Sequence, residues 1–174
     1  MAWMVVMGVA GSGKSSVGLE VARLMGLPLI EGDDFHPAEN IAKLRAGIQL
    51  DDVDRAGWLD ALAAQLAGHQ AGAVLTCSAL KRAYRDRLRG AVTELRFLFL
   101  DIEPQTAFER VAERVGHVFP PSLVASQFMT LESPIGEAGV LRIPAADSPE
   151  AQLAKVSEWL AAGEGRAPRS TFEG

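Results

Sequence analysis

The segment GVAGSGKS at residues 8–15 has the G-x-x-x-x-G-K-S spacing of a phosphate-binding loop. Its glycines let successive backbone N–H groups point inward at phosphate oxygens, and the helix that starts near Lys14 adds its positive dipole end. In such a loop the lysine reaches the β- and γ-phosphates, and the serine hydroxyl coordinates Mg²⁺. The motif therefore predicts nucleotide binding by the loop and the following helical turn, namely Gly8, Val9, Ala10, Gly11, Ser12, Gly13, Lys14, Ser15 and Ser16.

An acidic turn, EGDDFHP at residues 31–37, follows the second apolar segment of the chain. Carboxylates at this position can divide the work of a phosphoryl transfer, because one can support Mg²⁺ while another orients an acceptor hydroxyl. Turns also favour aspartate for conformational reasons alone. A solvated acidic turn without a chemical role is therefore the alternative interpretation of this segment.

Arg110 and Arg114 are four residues apart on a helix predicted over 105–115, so they are predicted to share one helix face. They precede GHVFPP, a segment bounded by glycine and proline that could hinge as a lid. Two arginines that arrive with a closing lid would neutralise charge on a transferring phosphoryl group. The alternative is a surface face of ion pairs, because Glu109 and Glu113 lie on the same helix.

Short apolar segments alternate with helical patterns along the whole chain. Strands are predicted at 2–7, 27–30, 73–77, 95–101 and 139–143, and helices at 14–24, 37–45, 80–88, 105–115, 122–131 and 149–160. One more helix is predicted to start at an Asp54 cap and to run to about 66. This alternation predicts an α/β fold with a parallel sheet covered by helices on both faces. Ligands bind at the carboxyl ends of such strands, and Lys14, Asp33 and Lys81 each follow a strand.

The composition narrows the class of protein further. The 174 residues carry a net charge of −5, from 17 basic and 22 acidic side chains, so the basic excess typical of a nucleic-acid binder is missing. The single cysteine, Cys77, excludes an intrachain disulfide and is interpreted as a small buried thiol. No targeting signal or membrane-length apolar run is evident. We expect one soluble, intracellular domain with no nucleic-acid or membrane partner.

Three kinds of nucleotide-dependent protein are compatible with the phosphate-binding loop. A switch GTPase is suggested by DRAG at 54–57 and SALK at 78–81, but no N-K-x-D motif is present to read guanine. An ATPase is suggested by LFLD, which places Asp101 at a strand end. A small-molecule kinase needs a hydroxyl site, a nearby carboxylate, cations and a lid. The acidic turn and the arginine pair favour the kinase.

The longer motifs resemble those of the small phosphate-loop gluconokinases. The resemblance rests on GDDFHP with Asn40, on LDDVDRAGWL at 50–59, on CSALKRAYRDRLR at 77–89 and on GHVFPPSLVASQFMTLE at 116–132, and it covers nearly the whole chain. It implies transfer of a phosphoryl group from ATP to the terminal hydroxyl of D-gluconate, giving 6-phospho-D-gluconate and ADP. The acidic turn alone would also suit another small hydroxy acid such as shikimate.

The resemblance further implies a P-loop NTPase fold, a three-layer sandwich around a five-stranded parallel sheet of order 2-3-1-4-5. One kinase domain is expected over 1–162, with a small lid at about 116–134 and a flexible C-terminal tail at 163–174. A cytoplasmic homodimer that serves gluconate catabolism is expected on the same grounds.

Roles for individual residues also follow from the resemblance, with ATP and Mg²⁺ as cofactors. The catalytic group would be Lys14, Asp33, Arg110 and Arg114. The contacts to D-gluconate would be Asp33, His36, Arg55, Lys81 and Gln127. The metal would be held by Ser15, and by Glu31 through water. The chain departs from the family pattern at Glu31, where an aspartate is expected, and at Val115, where a basic residue is expected.

Overall fold

Five short strands form one sheet in the computed structural model, which describes residues 1–114 and 120–164. The strands are β1 (Ala2–Met7), β2 (Leu29–Glu31), β3 (Gly72–Thr76), β4 (Arg96–Asp101) and β5 (Val140–Pro144). The helices are α1 (Lys14–Met25), α2 (Ala38–Arg45), α3 (Asp52–Gly68), α4 (Arg82–Arg89), α5 (Pro104–Glu113), α6 (Val124–Thr130) and α7 (Pro149–Glu164). Short 3₁₀ turns over Gly32–Phe35 and Pro121–Leu123 precede α2 and α6. Within the described ranges, no helix combines the length and the apolarity that a membrane span needs.

The strands are all parallel and lie in the order β2-β3-β1-β4-β5. The central strand β1 pairs on both sides, with Val5 opposite Leu75 of β3 and opposite Phe97 of β4. The central strands are almost wholly apolar and buried because helices cover both faces of the sheet there, whereas Arg142 of the edge strand β5 is exposed. The predicted α/β class and the predicted strand order are confirmed.

Alternate side chains of β1 enter two separate cores, as the two-residue period of a strand requires. Met4 and Val6 pack on one face of the sheet, together with Val156 of α7. Val5 and Met7 pack on the other face, against residues of α3 and α4. The sheet is therefore the middle layer of three, and the loops that leave its carboxyl-terminal edge are free to build a site.

The start of α3 differs from the sequence prediction. Asp54 is predicted as the N-cap, and this is wrong, because the extended backbone of Asp51 places its Oδ1 2.8 Å from the Asp54 N–H. Asp54 Oδ2 in turn accepts from the Asp51 N–H at 3.1 Å and completes a capping box. The helix therefore begins at Asp52, and Arg55 lies in its first turn.

Two further boundaries affect the predicted lid and tail. α5 ends at Glu113, and Arg114 is extended with φ −77° and ψ 122°, so the prediction that Arg110 and Arg114 share a helix face is wrong. Val115 and residues 116–119 of the predicted lid lie outside the described residues. At the other end, α7 continues to Glu164, past the predicted start of the tail at 163, and residues 165–174 are outside the described part.

The acidic turn is fixed against the end of β3. The Gly32 N–H donates to Thr76 Oγ1 at 3.2 Å, and the Gly32 carbonyl accepts from the indole N–H of Trp58 at 2.8 Å. A β-carbon on Gly32 would lie 2.1 Å from the Thr76 carbonyl oxygen, so only glycine permits this close approach. The fold thereby sets the carboxylates of the turn beside the phosphate loop.

Cys77 lies just beyond β3 and is 1% exposed. Burial raises the pKa of its thiol to about 12, so the reactive thiolate is strongly disfavoured. The interpretation of Cys77 as a small buried thiol agrees with this placement.

Candidate active site

A cavity of about 650 Å³ opens where β1, β2 and β3 end. This volume lies within the range of roughly 300–1,000 Å³ that small-ligand sites occupy. The phosphate loop, the acidic turn, the first turn of α3 and helix α6 supply its wall. The predicted site residues that it brings together are Ala10, Gly11, Gly13, Lys14, Ser15, Ser16, Glu31, Asp33, His36, Arg55, Arg114 and Gln127.

The phosphate loop is held by glycine geometry and by its own lysine. Gly13 adopts φ +94°, a left-handed conformation that glycine tolerates, and α1 begins at the next residue. Lys14 Nζ donates to the carbonyl oxygens of Gly8 and Val9, at 3.0 Å each. Burial lowers the pKa of Lys14, and the negative charge of Asp33 opposes that shift. The amino group is thus fixed between the loop and the acidic turn.

Ser15 and Glu31 meet between the phosphate loop and the acidic turn. Ser15 Oγ donates to Glu31 Oε2 at 3.1 Å, and Thr76 Oγ1 donates to the same oxygen at 2.6 Å. Mg²⁺ prefers oxygen ligands, keeps several waters and needs only one or two protein groups. The pair therefore fits a metal held by Ser15 directly and by Glu31 through water. In the described ranges, no three His, Cys, Asp or Glu side chains lie close enough together to hold a metal ion by themselves.

Asp33 lies at the mouth of the cavity. Its side chain is 89% exposed, and its Oδ1 lies 3.9 Å from His36 Nε2. A carboxylate this exposed contributes little to folding, yet its charge acts on Lys14. Its place on the wall of a phosphate-binding cavity favours a chemical role over a structural one.

His36 forms the neighbouring part of the wall. Its ring stacks on Trp58, with centroids 4.2 Å apart and an interplanar angle of 15°. Asn40 Nδ2 lies 3.3 Å from His36 Nδ1, and because an amide nitrogen only donates, Nδ1 accepts and the proton sits on Nε2. Burial lowers the pKa of His36 and favours the neutral ring. A neutral N–H beside Asp33 suits a ligand rich in hydroxyl groups.

Arg55 is only 7% exposed although it carries a full charge. Its Nη1 donates to Tyr84 Oη at 3.3 Å, and its guanidinium carbon lies 5.6 Å from the centre of the Tyr84 ring. None of the ion pairs among the described residues includes Arg55. A buried cation is costly where no described residue supplies an anion, so the Arg55 guanidinium on the cavity wall can bind an anionic group that enters the cavity.

The two arginines near the end of α5 reach different places. Arg114 lies on the cavity wall because the chain has left the helix there. Arg110 instead donates to the carbonyl oxygen of Gly11 at 3.2 Å and to that of Ala145 at 3.4 Å. Arg110 therefore braces the phosphate loop against the segment that follows β5.

Lys81 and Gln127 both contact protein groups. Lys81 Nζ pairs with Asp52 Oδ1 at 2.9 Å, and Lys81 is not among the described residues of the cavity wall. Gln127 is on the wall, where its Oε1 accepts from the Ala10 N–H at 2.8 Å and ties α6 to the phosphate loop. The gluconate contacts expected for both residues stay predictions.

Several supporting residues are not identified by the sequence motifs. Trp58 has the helical spacing of a core residue, and only its contacts with Gly32 and His36 show a second role. Thr76 donates a hydrogen bond to Glu31, and its position at the end of β3 is the sequence feature that could have identified it as part of the site. Asp52 and Tyr84 lie inside the longer motifs, but nothing in the sequence indicates what they contact.

Comparison with known proteins places this geometry in a family. No family model matches the chain. The gluconokinase of Gluconobacter oxydans (strain 621H) is 43% identical over 156 residues, which cover 87% of this chain and 86% of that protein. A crystal structure of a gluconokinase from Sinorhizobium meliloti 1021 is 44% identical, with a TM-score of 0.81 over 93% of this chain and 97% of that one.

A more distant structure has the same fold. The shikimate kinase of Aquifex aeolicus vf5 is 15% identical, with a TM-score of 0.59 over 94% of this chain and 99% of that one. At this identity the likeness extends to the fold alone. The two gluconokinases, by contrast, are 43% and 44% identical over most of the chain, and the chain belongs to the gluconokinase family.

Proposed function

We propose that this protein transfers the γ-phosphoryl group of ATP to the terminal hydroxyl of D-gluconate, giving 6-phospho-D-gluconate and ADP. The observation that carries the proposal is one cavity that holds a phosphate loop, the Asp33 carboxylate and the buried guanidinium of Arg55. A sugar acid presents the complementary groups, a hydroxyl at one end and a carboxylate at the other. The names of the family members support the same substrate.

In this reaction Asp33 orients the terminal hydroxyl of gluconate and receives its proton. The hydroxyl oxygen forms a bond to the γ-phosphorus as the bond to the bridging oxygen of ADP breaks. Lys14 and Arg114 supply positive charge where negative charge develops on the phosphoryl oxygens. Arg55 binds the distant carboxylate and His36 a hydroxyl, so the acceptor is held in line with the phosphate loop.

Ser15 and Glu31 would hold Mg²⁺, and the geometry of their hydroxyl and carboxylate fits that assignment. When bound, the metal neutralises charge on the phosphate oxygens. Thr76 keeps Glu31 turned toward Ser15 through its hydrogen bond to Oε2.

Replacing Glu31 by glutamine should weaken the binding of ATP in the presence of Mg²⁺ by about 10- to 100-fold, the usual effect of losing a group that orients metal-bound water. ATP binding in EDTA should not become weaker, because without the metal the neutral amide only removes a negative charge that repels the triphosphate. Calorimetric titration in both buffers measures the two affinities. Glu20→Gln on the exposed face of α1 is the matched control, and an equal loss in both buffers would contradict the metal assignment.

The acceptor is identified by an ADP-release assay with gluconate, shikimate, other aldonic acids and no acceptor. Turnover that depends on gluconate supports the proposal. Preference for shikimate would change the acceptor, and full turnover without an acceptor would favour an ATPase.

Other features remain part of the proposal. Arg110 would support catalysis by bracing the phosphate loop, and Lys81 would reach gluconate only by leaving Asp52. The region around α6 would act as the lid, since Leu123, Ser126 and Gln127 already lie on the cavity wall. A homodimer and a cytoplasmic location are proposed from the family resemblance, and light scattering of the purified protein tests the first of them.

A further inference from the structure

The guanidinium of Arg55 has an acidic neighbour with which it does not pair. Asp52 and Arg55 are three residues apart in the first turn of α3, the spacing at which a carboxylate and a guanidinium form an ion pair on a helix. Asp52 Oδ1 instead accepts from Tyr84 Oη and, at 2.9 Å, from Lys81 Nζ. Lys81, which precedes α4, and Tyr84, in the first turn of α4, thus hold the carboxylate that would otherwise neutralise Arg55.

Tyr84 stands between the two charges. Its hydroxyl hydrogen is donated to Asp52, so the oxygen lone pairs face Arg55 Nη1 at 3.3 Å. A hydroxyl can accept from one guanidinium N–H without neutralising the positive charge, whereas a carboxylate would neutralise that charge. The guanidinium therefore stays oriented, buried and positively charged on the cavity wall.

We propose that Tyr84 is a positioning residue that determines specificity, because it holds Asp52 away from Arg55 and keeps that guanidinium available for the carboxylate of the acceptor. The inference rests on the proposed function and deepens it. The site would select a sugar acid over the neutral sugar of the same length, and this selectivity would depend on the Asp52–Tyr84–Arg55 chain. The hydrogen bond from Tyr84, followed by the one from Lys81, also lowers the pKa of Asp52, consistent with a stable arrangement of the chain.

Tyr84→Phe removes the hydroxyl and leaves the ring in place. Asp52 can then turn to Arg55, so the KM for gluconate should rise by about 10- to 100-fold, the effect of losing a hydrogen bond to a charged group. The kcat and the KM for ATP should change little, because the hydroxyl touches neither the phosphate loop nor Asp33. Steady-state kinetics with each substrate varied in turn measure kcat and the two KM values separately.

A second substitution separates positioning from packing. In Tyr84→Phe/Asp52→Asn the competing acid is gone, so the KM for gluconate should return most of the way to the wild-type value. The matched control is Tyr84→Phe/Asp60→Asn, which removes an exposed carboxylate that links the same two helices through Arg87 at 2.7 Å. The proposal is supported if the KM for gluconate recovers with Asp52→Asn as the second substitution but not with Asp60→Asn. An unchanged KM in Tyr84→Phe overturns it, and so does an increase that neither second substitution relieves.

A measurement on the unaltered protein keeps the proposal testable if the Phe variant does not fold. Tyr84 is the only tyrosine in the chain, so ring-labelled tyrosine gives one set of NMR signals. These signals should shift on addition of gluconate, at concentrations that match its KM, and an unshifted ring would overturn the inference. Wild-type protein that does not phosphorylate gluconate would overturn the proposed function itself, whereas normal wild-type turnover with an unaffected Tyr84→Phe variant would refute the role of Tyr84 alone.

Discussion

Asp33→Asn should lower kcat for gluconate phosphorylation by about 10²- to 10⁴-fold, the range that a general base contributes. The asparagine amide has nearly the same shape as the carboxylate but cannot receive the hydroxyl proton. ATP should bind with nearly its wild-type affinity, because the phosphate loop is unaltered. The fold should also keep its stability, since the side chain is 89% exposed. Turnover and calorimetric ATP binding measure these two effects separately.

The neighbouring acid of the same turn provides the control for this variant. Asp34 also lies on the cavity wall, so Asp34→Asn makes the same chemical change one residue away. We expect a much smaller loss of kcat there. A large loss in Asp34→Asn with normal turnover in Asp33→Asn would transfer the role of base to Asp34.

Arg55→Met should lower kcat/KM for gluconate. The expected loss corresponds to roughly 2–5 kcal/mol of transition-state stabilisation, the cost of removing one partner of a buried charge pair. Methionine fills much of the same apolar space but offers nothing to the carboxylate. The KM for ATP should stay within a small factor of the wild-type value. Steady-state kinetics with gluconate varied at saturating ATP give this number.

The stability of the Arg55 variant gives an independent check. Arg55 is a buried charge for which no described residue supplies an anion, so its replacement by methionine should leave the melting temperature equal or higher. Arg87→Met, on the exposed face of α4, is the control for loss of an arginine. A variant that unfolds more easily and still uses gluconate normally would show that Arg55 serves the fold instead of the acceptor.

The sheet could be predicted from the sequence because its strands are short apolar runs and each is followed by a helical pattern. Val5 and Met7 alternate with Met4 and Val6 in a strand buried on both faces, and an apolar run of only six residues that ends at Gly8 favours a strand over a helix. The glycines of the phosphate loop identify a backbone geometry that few other residues allow. The positions of Lys14 and Asp33 at one sheet edge follow from these two features.

The rest of the site depends on contacts between segments distant in sequence. The spacing of Arg110 and Arg114 predicts a shared face only if the helix continues, and α5 ends before Arg114. Trp58 has the pattern of a core residue, but its stack with His36 joins α3 to the acidic turn. The hydrogen bonds of Tyr84 join α4 to α3 across 29 and 32 residues. Helical periodicity carries no information about such pairings.

A crystal structure with gluconate and a non-hydrolysable ATP analogue would show directly whether Asp33 faces the acceptor hydroxyl. We expect the terminal hydroxyl of gluconate within about 2.6–3.2 Å of the Asp33 carboxylate. We also expect the γ-phosphate mimic to contact Lys14 and the gluconate carboxylate to contact Arg55. Gluconate bound with its carboxylate toward the phosphate loop, or an Asp33 side chain turned away into solvent, would refute the proposed mechanism.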